Sequence, residues 1–152
     1  MRVKRVCIVG IDGATIDLIN ALGIGRGTYL TLTSTIPPYT PPAWTSILTG
    51  VNPGQHKIYG FLVYENNGVR LNTSWDVMYP RLFEMLAMQN LKSIIINAPF
   101  SYPFSALVLR DRYTVVASWA CPKQAIWPST LYEKFREYLV PPPHEWYKYS
   151  NA

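Results

Sequence analysis

The sequence predicts an α/β fold, a three-layer sandwich built around a mainly parallel sheet. Residues 3–11 form an almost continuous apolar, β-rich run that ends at Asp12-Gly13, which is typical of a strand buried on both faces. Residues 29–36 are rich in β-branched side chains, and residues 92–97 form another apolar run after a helical pattern. Strands that alternate with helices favour a parallel sheet with helices on its faces.

Two helices are predicted in the first third of the chain. Thr15 can cap a short helix over residues 16–22, which the following glycines end. Pro41 and Pro42 are suited to open a second helix, which stops at Gly50. The other predicted elements are strands over residues 61–64, 69–71, 107–109 and 113–117, and helices over residues 81–88 and 131–139.

The composition is that of a folded globular protein. Of the 152 residues, 49% are hydrophobic and 15% are charged, which excludes a disordered chain. The apolar runs are too short to span a bilayer, and the amino terminus lacks the apolar stretch of a signal peptide. We therefore expect a cytoplasmic protein without a membrane partner, with one domain over residues 1–140 and a proline-led tail over residues 141–152.

The formal net charge is +5. Arg2, Lys4 and Arg5 cluster at the start, and the other basic residues are scattered. Basic residues at a strand edge oppose aggregation, whereas nucleic-acid binding needs a compact basic stripe. The pattern favours a solubilising strand edge and argues against a nucleic-acid partner.

The two cysteines, Cys7 and Cys121, are far apart, and neither belongs to a cluster of the kind that holds structural zinc. Cys7 lies in the first apolar run. We expect it to be a small core residue.

Asp12 and Thr40 are the residues that could carry chemistry. Each follows a predicted strand, and ligands of α/β sheets bind where the strands end, so the two could share one crevice. A threonine hydroxyl becomes a nucleophile only with a base or metal beside it, and a carboxylate such as Asp12 can hold that metal. Backbone amides after Thr40 would then face a phosphate oxygen. The alternative remains that Asp12 forms a turn and Thr40 caps a helix.

Two motifs make the catalytic interpretation more specific. Residues 8–14 (IVGIDGA) and residues 34–56 (STIPPYTPPAWTSILTGVNPGQH) resemble the type I phosphodiesterase/nucleotide pyrophosphatase family of the alkaline phosphatase superfamily. The likeness extends through Asn97-Ala98-Pro99 and Tyr102-Pro103 and covers the amino-terminal portion of the family. It implies an incomplete alkaline-phosphatase-like domain over residues 1–140.

The resemblance implies a metal-dependent phosphohydrolase acting on a phosphate-ester small molecule. Asp12 matches the first aspartate ligand of a bimetal centre, and Thr40 matches the nucleophile that contacts the metal and is transiently phosphorylated. The family usually holds two zinc ions, and its other ligands lie in later motifs. Weak or absent activity is therefore expected for this chain alone, with a homo-oligomer or a complementing carboxy-terminal polypeptide as partner.

Neither histidine replaces those ligands. His56 belongs to a Pro-Gly-x-His turn, where we expect a structural hydrogen bond, and His144 follows three prolines at the surface. Phe61 stands where nucleotide pyrophosphatases place an asparagine near the phosphate, so a nucleotide substrate does not follow from the resemblance.

Two non-catalytic functions stay open. The chain could be an α/β module that binds phosphate or a nucleotide without hydrolysis, because one carboxylate is too few to fix a metal pair. It could also be an assembly protein, because aromatic residues are enriched at interfaces. Those late in the chain are Trp119, Trp127, Trp146, Tyr147 and Tyr149.

Overall fold

The structure is a computed structural model that describes residues 5–24, 27, 30–66, 68–104, 110–118 and 125–140. The chain divides into two compact units, Met1–Thr33 and Ser34–Ala152. Within the described ranges, the fold is mixed α/β. No helix in these ranges combines the length and hydropathy needed to cross a bilayer.

The first unit contains the short helix α1, Ile16–Ala21. Thr15 caps it, because its hydroxyl accepts a hydrogen bond from the Leu18 N–H at 3.3 Å. Gly23 follows with φ +63°, the left-handed conformation that commonly ends helices. The predicted helix is confirmed and ends one residue early.

The predicted buried strand over residues 3–11 is wrong for its described part. Residues 5–11 form no strand, Val6 and Val9 are 75% and 78% exposed, and Cys7 is exposed and not a core residue. An apolar run marks a segment that can pair, but a strand forms only when a neighbouring backbone pairs with it. None pairs with it among the described residues.

The predicted second strand, residues 29–36, also fails where it is described. Residues 30–36 form no strand, and Leu30 and Leu32 are both 85% exposed. The Thr35 hydroxyl donates to the Pro37 carbonyl at 2.9 Å, a local side-chain bond of the kind that competes with regular secondary structure.

The second unit begins with α2, Thr40–Thr49, whose Pro41 and Pro42 occupy its first turn. Gly50 ends it in the left-handed conformation, with φ +74°. A single short turn of helix, α3, follows over Pro53–His56. The predicted helix from the proline pair to Gly50 is confirmed.

A β-hairpin follows α3. Its strands, β1 (Leu62–Glu65) and β2 (Gly68–Leu71), pair in antiparallel register, which confirms the predicted ribbon. Arg70 joins it to the next turn, with ion pairs of 2.7 Å to both Glu65 and Asp76.

Helix α4, Leu82–Met88, leads into a three-stranded sheet. In this sheet β3 (Ser93–Ile96) pairs in parallel with β4 (Tyr113–Val116), and β4 pairs in antiparallel register with β5 (Ile126–Trp127). The predicted helix and the strands over residues 92–97 and 113–117 are confirmed, whereas residues 107–109 lie outside the described residues. One of the three described strand pairs is parallel, so the mainly parallel, three-layer arrangement is not confirmed.

The core of the second unit lies between α4 and this sheet. The Phe83 and Tyr113 rings meet edge to face, with centroids 5.9 Å apart. Trp127 is half-buried and packs against the core. The buried members of the core are Phe83, Ala87, Ile95, Tyr113, Val115, Ala117 and Ala125.

The predicted helix over residues 131–139 is broken. One α-helical turn, α5 (Tyr132–Phe135), lies between the 3₁₀ turns Ser129–Leu131 and Arg136–Tyr138. None of these elements has a buried side chain. Because helices in proteins are held mainly by packing of an apolar face, nothing enforces one continuous helix here.

Candidate functional site

Thr40 lies on a pocket of about 230 Å³ within the second unit. It is half-buried and is the first residue of α2. Phe61, Leu71 and residues 72–73 form the hairpin side of the pocket. The other side is formed by residues 99–103, which follow β3, and by Ser118, which follows β4. The pocket therefore adjoins the segments that leave the carboxyl ends of the two parallel strands, where α/β proteins bind ligands.

Hydrogen bonds to its backbone hold the segment over residues 99–103 in place. The Ser74 N–H donates to the Tyr102 carbonyl at 3.0 Å, and the Ser74 hydroxyl donates to the Pro103 carbonyl. Arg81 donates to the Phe100 carbonyl. Phe100 adopts φ +55°, which is strained for a bulky residue and persists only where surrounding contacts over-determine it.

Phe61 is positioned by the residue before α2. Its ring lies 6.2 Å from that of Tyr39, centroid to centroid. The Tyr39 hydroxyl donates to the Tyr59 carbonyl at 2.7 Å. A Cβ at Gly60 would collide with the Tyr39 hydroxyl oxygen, so the close approach requires glycine here. These contacts join the start of α2 to the aromatic wall of the pocket.

The amino terminus of α2 offers fewer amides than the sequence interpretation assumed. Pro41 and Pro42 have no N–H, and the Ala43 N–H donates within the helix to the Tyr39 carbonyl at 3.1 Å. The prediction that amides after Thr40 would face a phosphate oxygen is therefore wrong for the first three positions after it.

His56 is a structural residue, as predicted. It is fully buried, and its Nδ1 accepts a hydrogen bond from the Ile58 N–H at 3.1 Å. The proton of the neutral ring therefore lies on Nε2, which donates to the Ser46 hydroxyl at 3.0 Å. Desolvation by burial lowers the pKa of His56, so the neutral form prevails at neutral pH. The bond to Ser46 ties α3 to α2, and the bond from Ile58 fixes the ring within its own turn.

Asp12 lies in the first unit, in an exposed turn with Gly13, whose φ is +68°. Thr40 lies in the second unit. The shared crevice of Asp12 and Thr40 remains a prediction.

The residues present do not fit a bimetal centre by themselves. In the described ranges, no group of three His, Cys, Asp or Glu side chains could hold a metal ion. A catalytic zinc ion takes three protein ligands and leaves one open position. Asp12 and Thr40 are two residues, so a metal centre built on them would need further ligands.

Ser101 was missed by the sequence reasoning. It lines the pocket, is only 2% exposed, and its Oγ has no hydrogen-bond partner among the described residues. It follows β3 by five positions. The rule that ligands bind beyond the carboxyl ends of parallel strands could have identified this segment, but nothing in its sequence singles out the serine.

The second unit is thus mixed α/β, with the Thr40 side chain in a pocket beside the carboxyl ends of its two parallel strands. The family model for type I phosphodiesterase/nucleotide pyrophosphatase matches residues 6–146 of the 152 residues. The chain belongs to this family. Searches of curated proteins and of solved structures found no match.

Proposed function

We propose that the protein is a metal-dependent phosphohydrolase of the phosphodiesterase/nucleotide pyrophosphatase kind, with Thr40 as its nucleophile and with low or no activity as this chain alone. The position of Thr40 supports this most directly, because it is the first residue of α2 and lines the pocket beside the parallel strand ends. The family membership supports the hydrolysis of a phosphate ester.

In the proposed reaction, the Thr40 oxygen attacks phosphorus and the bond from phosphorus to the leaving alcohol breaks. Water then attacks the phosphorylated threonine and restores the hydroxyl. A threonine hydroxyl holds its proton at neutral pH, so the first step needs an activating group. A divalent cation, zinc in the complete family site, would lower the pKa of a coordinated hydroxyl and offset phosphoryl charge if Asp12 and a completed set of ligands held it.

Asp12 is the proposed ligand of that cation in this chain. Because the described residues do not complete the ligand set, a second copy of the chain or a complementing carboxy-terminal polypeptide would supply the rest. The three-layer alkaline-phosphatase-like arrangement and a cytoplasmic location belong to the same proposal.

The proposal is tested by hydrolysis of bis-p-nitrophenyl phosphate with added zinc, using Thr40→Ala and Thr40→Ser. We expect Thr40→Ala to abolish turnover in any active form, alone or complemented, and Thr40→Ser to retain part of it, because serine keeps the hydroxyl. Thr31→Ala, at an exposed position of the first unit, is the matched control. Intact-mass analysis with this diester should detect a nitrophenyl-phosphoryl adduct that is absent from Thr40→Ala. Full activity of Thr40→Ala would refute the assignment.

A second candidate is a phosphate- or nucleotide-binding module without hydrolytic activity. The incomplete ligand set within the described residues favours it. Thermal shift with phosphate, nucleotides and zinc separates the two, because the anions would stabilise such a module without zinc. In the hydrolysis assay, such a module would show no turnover in any complemented form.

A further inference from the structure

The hairpin of β1 and β2 presents an apolar face to solvent. In its antiparallel register Leu62 stands opposite Leu71, and Tyr64 stands opposite Val69. Opposed residues share a face of the hairpin, and all four of these side chains are exposed. The other face carries the ion-paired Arg70. Two-stranded hairpins are marginally stable alone and gain stability when further strands extend them, so this hairpin is suited to a partner.

The outer edge of β1 is open for backbone pairing. The Asn72 N–H donates to the Phe61 carbonyl at 2.7 Å, which makes these two residues a hydrogen-bonded pair of the ladder. Such pairs alternate along antiparallel strands, so the backbone N–H and C=O groups of Leu62 and Tyr64 point away from β2. No strand in the described ranges pairs with this edge. It is therefore a template for another strand.

The outer edge of β2 is protected instead. Its Leu71 carbonyl accepts a hydrogen bond from an Arg70 guanidinium N–H at 3.2 Å. A full antiparallel overlap of β2 with a second β2 would also set two Arg70 side chains directly opposite each other, which is destabilising. Charged side chains on an edge strand oppose pairing of that edge. Of the two edges, β1 is therefore the one that can accept a strand.

We propose that two copies of the chain associate through the outer edges of β1, antiparallel and about a two-fold axis at Val63. In this register Leu62 of each copy stands opposite Tyr64 of the second copy, and each such pair exchanges two backbone hydrogen bonds. These bonds use every backbone donor and acceptor that the two residues present at the edge. Glu65 stands opposite Phe61 of the second copy, so no like charges meet there. The edge of β1 is thus complementary to itself, and main-chain bonds hold a four-stranded sheet.

Sedimentation velocity of the full chain over about a hundredfold range of concentration measures this association. We expect the wild-type mass to rise from that of a monomer toward that of a dimer. Tyr64→Pro removes an N–H that points away from β2, so it spares the bonds of the hairpin and blocks the edge. It should weaken the dimer by about tenfold or more, because symmetry removes two hydrogen bonds. Val69→Pro makes the same change at the residue opposite Tyr64, on the other edge, and should leave the dimer affinity unchanged.

A disulfide cross-link tests the register even if a proline variant fails to fold. At the proposed axis the two Val63 Cα atoms would lie about 4.5 Å apart, a distance that a disulfide spans. In a chain carrying Cys7→Ser and Cys121→Ser, mild oxidation should therefore convert Val63→Cys into a covalent dimer. Tyr64→Cys is the control, because its two Cα atoms would lie roughly 7–8 Å apart. Tyr64 is 77% exposed and Val63 is half-buried, so random collision would favour the control.

A wild-type chain that stays monomeric across the concentration range would overturn the proposal. Equal weakening by Tyr64→Pro and Val69→Pro would also overturn it, because the apolar face rather than the edge of β1 would then hold the copies together. Cross-linking of Tyr64→Cys as fast as that of Val63→Cys would refute the two-fold axis at Val63. None of these measurements involves turnover, so each outcome leaves the reaction proposed at Thr40 unaffected.

Discussion

The buried ion pair between Arg81 and Glu84 should be a principal determinant of stability in the second unit. The two residues are 4% and 5% exposed. The Arg81 Nε donates to Glu84 Oε2 at 3.0 Å, and the Arg81 backbone N–H donates to the same oxygen at 2.7 Å. A second guanidinium nitrogen bonds the other carboxylate oxygen. Glu84→Gln keeps the shape but turns one of these oxygens into an N–H that opposes a donor.

We expect Glu84→Gln to lower the free energy of unfolding by about 3 kcal/mol, because removing one partner leaves a buried charge uncompensated. The double variant Arg81→Met/Glu84→Leu removes both charges. It leaves the Phe100 carbonyl and the backbone N–H of residue 81, just before α4, without their present partners, at a net cost of about 1–2 kcal/mol. The double variant should therefore be more stable than Glu84→Gln.

Urea unfolding followed by circular dichroism measures both values. With a slope of about 2 kcal/mol/M, a loss of 3 kcal/mol moves the midpoint by about 1.5 M. Glu133→Gln is the matched control, since Glu133 pairs with Arg136 at the same i,i+3 spacing but both side chains are mostly exposed. Its loss should stay below about 0.5 kcal/mol.

The reasoning is refuted if Glu84→Gln costs no more than Glu133→Gln. It is also refuted if the double variant is as unstable as Glu84→Gln, since the loss would then come from packing rather than from an unpaired charge.

Two further predictions concern the residues that position α2. Because burial lowers the pKa of His56 below its ordinary value of 6.5, the unfolded chain binds the proton first as pH falls. Stability should thus decline below about pH 6.5 in the wild type and in His144→Gln, and less steeply in His56→Asn. Thermal melts between about pH 5 and 8 check this. An equal dependence of melting temperature on pH in all three proteins would contradict it. Gly60→Ala should displace the Tyr39 ring, which near-ultraviolet circular dichroism would detect; an unchanged spectrum would contradict the steric argument.

The elements that the sequence predicted correctly have local signals. Pro41 and Pro42 pre-set the first turn of α2, and Gly50 adopts the left-handed conformation that ends it. The residues over 5–11 have an equally clear apolar pattern, yet they form no strand. Strand pairing joins segments that are distant in the sequence. An apolar pattern therefore shows that a segment can form a strand but does not identify its pairing partner.

The site was predictable only in part for the same reason. The His56 turn could be interpreted from its sequence, because one of its hydrogen-bond partners lies two residues ahead and the other ten residues back. Ser101 becomes a candidate site residue only because residues from distant parts of the chain line the same pocket. The expectation of amides after Thr40 failed on a local fact already present in the sequence, since two of the next three residues are prolines.

The charges around the pocket are largely compensated by one another. Arg81 is paired with Glu84, and Arg70 is paired with Glu65 and Asp76, whose pKa is lowered chiefly by its hydrogen bond with Arg70. Since neither arginine lines the pocket, neither is placed to receive a phosphoryl oxygen inside it. Compensation of phosphoryl charge would therefore have to come from outside these two sets of ion pairs. In the proposed reaction it would come from a cation at the Thr40 end of the pocket, held by ligands in addition to Asp12.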